Sequence, residues 1–293
     1  MDCATEAFVA HRNLLFTVAY EMLGSATDAE DVLQEAWLRW MKVDVAQLSD
    51  QRAYLVRIIT RQSLNRLRTM KRRKEAYVGP WLPEPLLTTP DVAEDVELAE
   101  SVSMALMLVL ETLSPTERAV FVLREAFDVG YDEIAAAVGK NPATVRQIAH
   151  RARRHVEARR PREAVSPGEA QAVLESFRRA LETRDLQGLL DALAPEVVVI
   201  SDGGGVKQAV PRPIIGADKA ARFIVGGLGK AHVTVTGNPT MVNGNPALLL
   251  RVDGEIDGVI AIRVEDARIT GLYYVRNPHK LTRMEAETPL TLR

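Results

Sequence analysis

Cysteine is nearly absent from this chain: Cys3 is the only one in 293 residues. A single thiol excludes an internal disulfide and a cysteine-rich zinc site, and a reducing, cytoplasmic compartment is expected. No signal peptide is evident and no apolar run is long enough to span a membrane, so no membrane partner is expected. An excess of either charge is missing too. Lysine and arginine total 37 against 39 aspartates and glutamates, a net charge of −2 whose average argues for no polyanionic partner. What remains is an ordinary globular composition, 47% apolar, long enough for two or three domains with ample core.

The charge is unevenly spread, and the local footprint matters more than the mean. Basic blocks lie at Arg57–Lys74 and Arg146–Arg162, and an acidic one at Asp91–Glu100. The second basic block closes the most informative stretch. Ser114-Pro-Thr-Glu117 is a capping box with proline in the first turn; it starts a helix continued on one face by Val120, Leu123 and Phe127. Asp128-Val-Gly130 breaks it. A short helix fits Tyr131 to Val138, with Ile134, Ala135 and Val138 inward, and Gly139-Lys-Asn141 is a turn before Pro142 restarts the chain. The next helix carries Val145, Ile148, Ala149, Ala152 and Val156 at helical spacing.

Two helices joined by a short glycine-containing turn make a helix-turn-helix. Outward on the second are Thr144, Arg146, Gln147, His150, Arg151 and Arg154. Arginine and glutamine pair bidentately with guanine and adenine edges in the major groove, while Arg153, Arg159, Arg160 and Arg162 suit phosphates. A basic helix alone reads equally well as a solvated surface; the pattern ahead of it favours DNA.

From the start of the chain, Thr5 to Leu23 has Phe8, Leu15, Val18, Ala19 and Met22 at helical spacing, and Gly24 can end that helix. Thr27-Asp-Ala-Glu30 is a second capping box, opening a helix to about Lys42 that buries Val32, Leu33, Ala36, Trp37 and Trp40. Asp28, Asp31, Glu35, Leu38 and Lys42 form a different, mostly acidic face. Carboxylates near a helix N-terminus are favourable in any case; the other reading is a docking face for a basic partner. Val43–Asp50 is a loop. A long helix then runs from about Gln51 to Lys74, with Ala53, Val56, Ile59, Ser63 and Leu67 inward. Arg57, Arg61, Asn65, Arg68 and Arg72 share one outward stripe, whose like charges suit a nucleic acid better than water.

DAEDVLQEAWLRW (Asp28–Trp40) resembles the core-polymerase-binding helix of bacterial sigma factors of the extracytoplasmic-function group. LSPTERAVFVLRE followed by YDEIAAAVGKNPATVRQIAHRARRHV resembles their domain that reads the −35 promoter element. The resemblance implies an alternative sigma factor whose partners are core RNA polymerase and promoter DNA, with no cofactor, no metal and no catalytic residue. It implies polymerase contacts for Asp28, Asp31, Gln34, Glu35 and Leu38. Arg57, Arg61, Asn65, Arg66 and Arg68 would lie along the −10 element. Thr144, Arg146, Gln147, His150, Arg151 and Arg154 would read the −35 element. The Val43–Asp50 loop would hold an unstacked base, although Tyr54 is the long helix's only aromatic.

The stretch from Tyr77 to about Glu94 contains Trp81-Leu-Pro-Glu-Pro85, where prolines flanking Glu84 disfavour helix and give an extended linker. An exposed tryptophan there is costly, so Trp81 needs a docking surface. A neighbouring domain would serve. WLPEP, however, is similar to a hallmark of a sigma-factor subgroup with a C-terminal extension, whose linker sits against that extension.

Arg160 to Gly168 is a second linker. Helices are expected at Glu169–Thr183, burying Val173, Phe177 and Leu181, at Gly188–Leu193, and at Ala217–Val225. Val197–Ile200, ending at Asp202-Gly-Gly-Gly205, then Val233–Thr236, Ala247–Val252, Val259–Val264 and Ile269–Val275 read as strands. Helices followed by a four- or five-strand antiparallel sheet indicate an α+β domain. The order resembles the SnoaL-like members of the NTF2-like superfamily, a curved sheet wrapped on helices around a pocket, which implies a regulatory domain with room for a small-molecule ligand.

DGGG resembles a subgroup motif, with Lys207 one residue later than expected. Asn277-Pro-His-Lys-Leu281 resembles the terminal NPDKL, with His279 in place of the acid. Trp81, Leu82, Pro83, Glu84, Pro85, Asp202, Asn277 and Pro278 are therefore expected between domains.

Relatives of that fold catalyse proton transfers at carbonyl compounds, and Asp202, His232, Asp257, Tyr273 and Tyr274 are of the right types. Fold alone does not license activity. Asp202 before three glycines reads as a turn former, and Tyr273 and Tyr274 point to opposite faces of a strand. No enzyme is expected. The expected organisation is multidomain: an all-α region at 1–76, a linker at 77–96, an all-α helix-turn-helix region at 97–162, and an α+β SnoaL-like domain at 168–284. The rivals are a helix-turn-helix regulator acting without polymerase, a small-molecule enzyme with a DNA-binding front half, and a ligand sensor.

Overall fold

The computed structural model describes residues 3–89, 92, 95–159, 165–229, 234–284 and 286–292. Arg160, Arg162, His232 and the expected strand start at Val233 lie outside them.

Three helices open the chain: α1 (Cys3–Leu23), α2 (Ala26–Trp40) and α3 (Gln51–Glu75). Gly24, at φ +68, ends α1 as expected. The cap of α2 lies earlier than the Thr27 box predicts. Ser25 is the N-cap, its hydroxyl accepting the Asp28 amide, so Thr27 already lies inside the first turn. Asp50 caps α3 at the Ala53 amide. From Leu14 to Leu23 every α1 residue is at most 2% exposed, so this helix is enclosed on all sides and not only by α2 and α3.

An extended linker leads to α4 (Val96–Ser101), α5 (Met104–Leu110), α6 (Pro115–Phe121), α7 (Tyr131–Val138) and α8 (Pro142–Glu157). The Ser114–Glu117 capping box is present in both directions. The helix it starts does not run regularly to Phe127: after Phe121 it widens into a π-turn over Val122–Ala126. Gly139 closes α7 in the left-handed conformation, and Asn141 caps α8 with Pro142 in its first turn.

After α9 (Pro167–Thr183) and α10 (Leu186–Ala192) come β1 (Leu193–Asp202), β2 (Ile214–Ile215), α11 (Ala217–Gly229), β3 (Val235–Val242), β4 (Asn245–Val252), β5 (Glu255–Glu265) and β6 (Arg268–Val275). The sheet has six strands in the order β2-β1-β6-β5-β4-β3. It corrects the expected antiparallel sheet of four or five strands, because β1 pairs parallel with β6 and a two-residue β2 is added at the edge. The chain between β1 and β6, which holds α11 and β3–β5, makes the long crossover that a parallel neighbour requires.

One face of the sheet carries α9, α10 and α11 on a core that includes Leu174, Phe177, Leu193 and Leu272. The other face is covered by the rest of the chain. Ala261, Tyr273 and Val275 pack with Leu82 and Met104, while Val242, Ala247 and Val259 pack with Met284 and Leu87. A single core runs through α1–α3 and α4–α8 and also takes in Leu86 and Leu290. The two all-helical regions therefore pack on each other, and the sheet closes over the seam.

Candidate nucleic-acid interface and interdomain clamp

Helix α8 buries Val145, Ile148, Ala149, Ala152 and Val156 and turns its other side outward. Arg146, Gln147, His150, Arg151 and Arg154 are exposed and Thr144 is half-buried, so the expected reading face is one continuous surface. Arg146 leans over Tyr131 with its guanidinium carbon 5.5 Å from the ring centroid. Arg153 instead forms a bidentate pair with Glu125, at 2.6 and 3.0 Å.

The basic stripe of α3 is divided. Asn65 and Arg68 are exposed and bonded to each other at 3.2 Å, and Arg57 lies over Tyr54. Arg61 is engaged across the seam: it donates to the carbonyls of Ala136 at 2.8 Å and Ala137 at 3.4 Å. These are last-turn acceptors of α7, the kind a helix C-terminus offers to a cation. The helix-turn-helix thus sits against the helix expected to meet the −10 element.

Arg66 bridges two expected sites. It pairs with Asp28 at 3.2 Å and also with Asp31. The outward placement expected for Asp28 is corrected: it is 6% exposed and also holds Arg73 at 2.8 Å, because α3 brings two arginines over the first turn of α2. Asp31, Gln34, Glu35 and Leu38 do face outward, and Leu38 is 64% exposed.

The linker is held from both sides. On the α1–α2 side the Glu84 amide donates to the Gly24 carbonyl at 2.9 Å. The Glu84 carboxylate accepts from the Ser25 hydroxyl at 2.8 Å and the Thr27 amide at 3.0 Å, and its carbonyl accepts from the Tyr20 hydroxyl at 2.6 Å. On the sheet side Asp202, fully buried, accepts from the Leu82 amide at 2.9 Å, the Tyr77 hydroxyl at 2.5 Å, the Gly204 amide at 3.0 Å and the Lys280 ammonium at 2.7 Å. Asn277 donates to the Tyr77 hydroxyl at 2.7 Å. Gly204, at φ +61, admits no side chain, since a Cβ there would lie 2.3 Å from the Asn277 amide nitrogen.

Trp81 docks as expected, half-buried, with Lys280 Nζ 3.3 Å and Lys74 Nζ 4.8 Å from its ring centroid. Pro83 and Pro85 are buried. Pro278 is the exception among the expected interdomain residues: it opens the short 3₁₀ turn Pro278–Lys280 and faces solvent. A first-turn position needs no backbone donor, so proline is used there for its fixed φ.

Ion pairs continue the seam. Glu111 accepts from both Lys74 and Arg118, and Arg118 also donates to the Glu21 carbonyl at 2.9 and 3.1 Å. Burial pushes Glu111 up, but Arg118 and Lys74 outweigh it and hold the carboxyl at about 2. Glu21, enclosed at the end of α1, accepts from the Ser101 hydroxyl at 2.8 Å and is raised by burial to about 8.

Family models for Sigma-70 region 2 and Sigma-70 region 4 match residues 7–73 and 103–156. The ECF RNA polymerase sigma factor SigJ of Mycobacterium tuberculosis is 35% identical over 288 residues, covering 94% of this chain and 92% of that protein. A probable ECF RNA polymerase sigma factor of the same species, SigI, is 32% identical over 289 residues, covering 98% and 97%. The chain belongs to the ECF sigma factors. The crystal structure of SigJ superposes with a TM-score of 0.75 at 33% identity, covering 98% of this chain and all of that one, so the likeness to this sigma factor extends through the C-terminal domain.

In this sigma factor the linker and the terminal motif are in contact, and several participants were not singled out from the sequence. Tyr20 and Glu21 lie in the stretch Leu14–Leu23, which has apolar residues on every face of the helix and only Thr17 and Glu21 to interrupt them. Asn243 sits in an Asn-Gly pair, a strong hairpin signal, but nothing local shows that the hairpin tip is buried. Lys207 holds the glycine loop to β5 through the Ile256 and Asp257 carbonyls at 3.3 and 3.0 Å. His279 is exposed.

Of the groups considered for acid–base chemistry, Asp202, Asp257 and Tyr274 are engaged in structural hydrogen bonds and ion pairs. Asp257 is pushed up by burial, yet Arg276, Tyr274 and Lys207 together hold it at about 2. Tyr273 packs toward the linker and Tyr274 toward the helices, on opposite faces as expected. Among the described residues, no group of three or more His, Cys, Asp or Glu is placed to hold a metal ion, and no helix is long and apolar enough to cross a membrane.

Proposed function

We propose that this protein binds core RNA polymerase in the cytoplasm and directs it to specific promoters, under the control of its C-terminal domain. The observation that carries the reading is the match to an ECF sigma factor along 94% of the chain, joined to an α8 face left open for DNA. Asp31, Gln34, Glu35 and Leu38 would dock on polymerase, with Asp28 and Arg66 bracing that face from behind. Arg57, Arg61, Asn65 and Arg68 would follow the −10 element, and Thr144, Arg146, Gln147, His150, Arg151 and Arg154 the −35 element. The working units are 1–76, 77–96, 97–162 and 168–284.

The closed arrangement supports control by the C-terminal domain. Arg61 is engaged by α7, and the linker that would have to lengthen across a promoter is pinned by Asp202 and Lys280. The domain acts by contact and not by catalysis. A ligand-sensing role has one feature in its favour, a groove of about 470 Å³ between α9 and α10 with Val173 and Ala180 beside Arg179 and Asp191.

Run-off transcription with core polymerase, on promoters taken from DNA upstream of its own gene, tests the reading. Full-length protein should yield a discrete product that is lost when Arg146 and Gln147 are both replaced by alanine. No product and no polymerase binding would overturn it in favour of a regulator acting alone.

A further inference from the structure

The β3–β4 hairpin ends in Asn243-Gly244, with φ +55 and +69, the two-residue turn in which both positions are left-handed. Such tips ordinarily face water. This one is driven into the rest of the molecule, and Asn243 is 0% exposed. Its amide nitrogen donates to the Tyr20 hydroxyl on α1 at 2.7 Å and to the Val102 carbonyl at the end of α4 at 2.8 Å. Its amide oxygen accepts the Leu86 amide of the linker at 3.0 Å, and its own backbone amide donates to the Leu86 carbonyl at 2.9 Å.

The neighbouring residues complete the seat. Gly244 donates to the Thr88 hydroxyl at 3.0 Å, and Asn245 donates to the Ala99 carbonyl at 3.2 Å. A Cβ on Gly244 would lie 2.6 Å from Ala99 Cα, so the tip touches α4 backbone to backbone.

One primary amide thus joins region 2, the linker, the second helical region and the C-terminal sheet. Both its donors and its acceptor are used, each on a different segment of the chain. If one segment leaves, the others keep buried polar groups with a lost partner, so the contacts break together. Tyr20 extends the coupling, because its hydroxyl in turn donates a hydrogen bond to the Glu84 carbonyl.

We propose that Asn243 is a latch: it couples the C-terminal domain to both helical regions, and the hairpin tip must withdraw before α3 and α7 can separate. That the separated form engages a promoter rests on the sigma-factor reading; the latch itself does not.

The test is a distance measurement in the full chain. Cys3→Ser removes the native thiol, and Val9→Cys on α1 with Ala143→Cys on α8, both exposed positions, carry spin labels. Asn243→Gly keeps the left-handed turn and removes the amide. Asn243→Asp keeps the shape and the acceptor but loses both donors. Tyr20→Phe removes one acceptor from the other side of the contact and leaves the hairpin untouched. The unsubstituted latch should give one narrow distance. Each variant should add a population longer by at least about a helix diameter, roughly 10 Å. The open share should rise about fivefold for each hydrogen bond lost.

Variants that retain the narrow distance would overturn the latch, and a variant that fails to fold leaves the other two to decide. Run-off transcription in parallel separates the two readings. Opened variants of a protein that never supports transcription keep the latch and sink the sigma-factor reading. An active protein whose variants stay closed does the reverse.

Discussion

The Lys280 ammonium lies 2.7 Å from the Asp202 carboxylate, with the two side chains 4% and 0% exposed. Breaking one side of a buried pair leaves an uncompensated charge, at a cost of about 3–5 kcal/mol, whereas removing both charges costs much less. Asp202→Asn and Lys280→Met should each lower the melting temperature clearly, and the double variant should recover part of the loss. Thermal unfolding of the three proteins side by side checks this. Additive losses would mean that the pair does not act as a unit.

Glu21 should make the closed form sensitive to pH. Its folded value of about 8 lies above the ordinary 4.5, so its contribution is complete below about pH 4.5 and is lost as pH rises through 8. Glu111 and Asp257, held at about 2, stay ionised throughout this range, and Lys280, lowered by burial to about 8, responds only at its upper end. Glu21→Gln keeps an acceptor for Ser101 and cannot ionise. The stability difference between wild type and Glu21→Gln should widen in favour of the variant by on the order of 3 kcal/mol between pH 5 and 7.5. Denaturant titrations at several pH values measure it, and a constant difference would rule out a buried ionisation at this site.

Leu38 separates docking from folding. It is 64% exposed on α2, so Leu38→Ala should change stability by less than about 0.5 kcal/mol. If it anchors polymerase, the same change should weaken binding by about 2 kcal/mol. Fluorescence anisotropy with core polymerase supplies the second number.

Arg146 and Gln147 should act base by base. Replacing either with alanine should cost about 1–3 kcal/mol on the preferred promoter and relax the preference at one −35 position. Arg151→Ala, if it meets phosphate, should weaken all promoters alike and reduce the salt dependence. Holoenzyme binding across single-base promoter variants distinguishes these patterns.

Much of the local structure was written in short stretches of residues. Ser114 and Glu117 are three apart and close their own capping box; Asn141, Pro142 and Gly139 end one helix and begin the next. The apolar positions of α8 leave its arginines and Gln147 outside whatever the helix packs on. Pro83 and Pro85 hold the linker extended. Such signals act through bonds within one or two turns, so the chain carries them wherever it goes.

The assembly of these pieces depends on surfaces that meet from far apart in the chain. Asp28 has the spacing of an outward carboxylate, and only the arrival of Arg66 and Arg73 on α3 covers it. Alternation identifies β1 and β6 as strands but cannot say that they lie parallel and adjacent, since hydrogen-bonding edges are alike in every strand. The Asn-Gly pair predicts a turn, and its burial follows from Tyr20, Leu86 and Val102 meeting in one place. Caps, periodicity and motifs therefore specified the elements and the family, while the closed arrangement of the four parts came from the complementarity of buried polar groups, which no local pattern records.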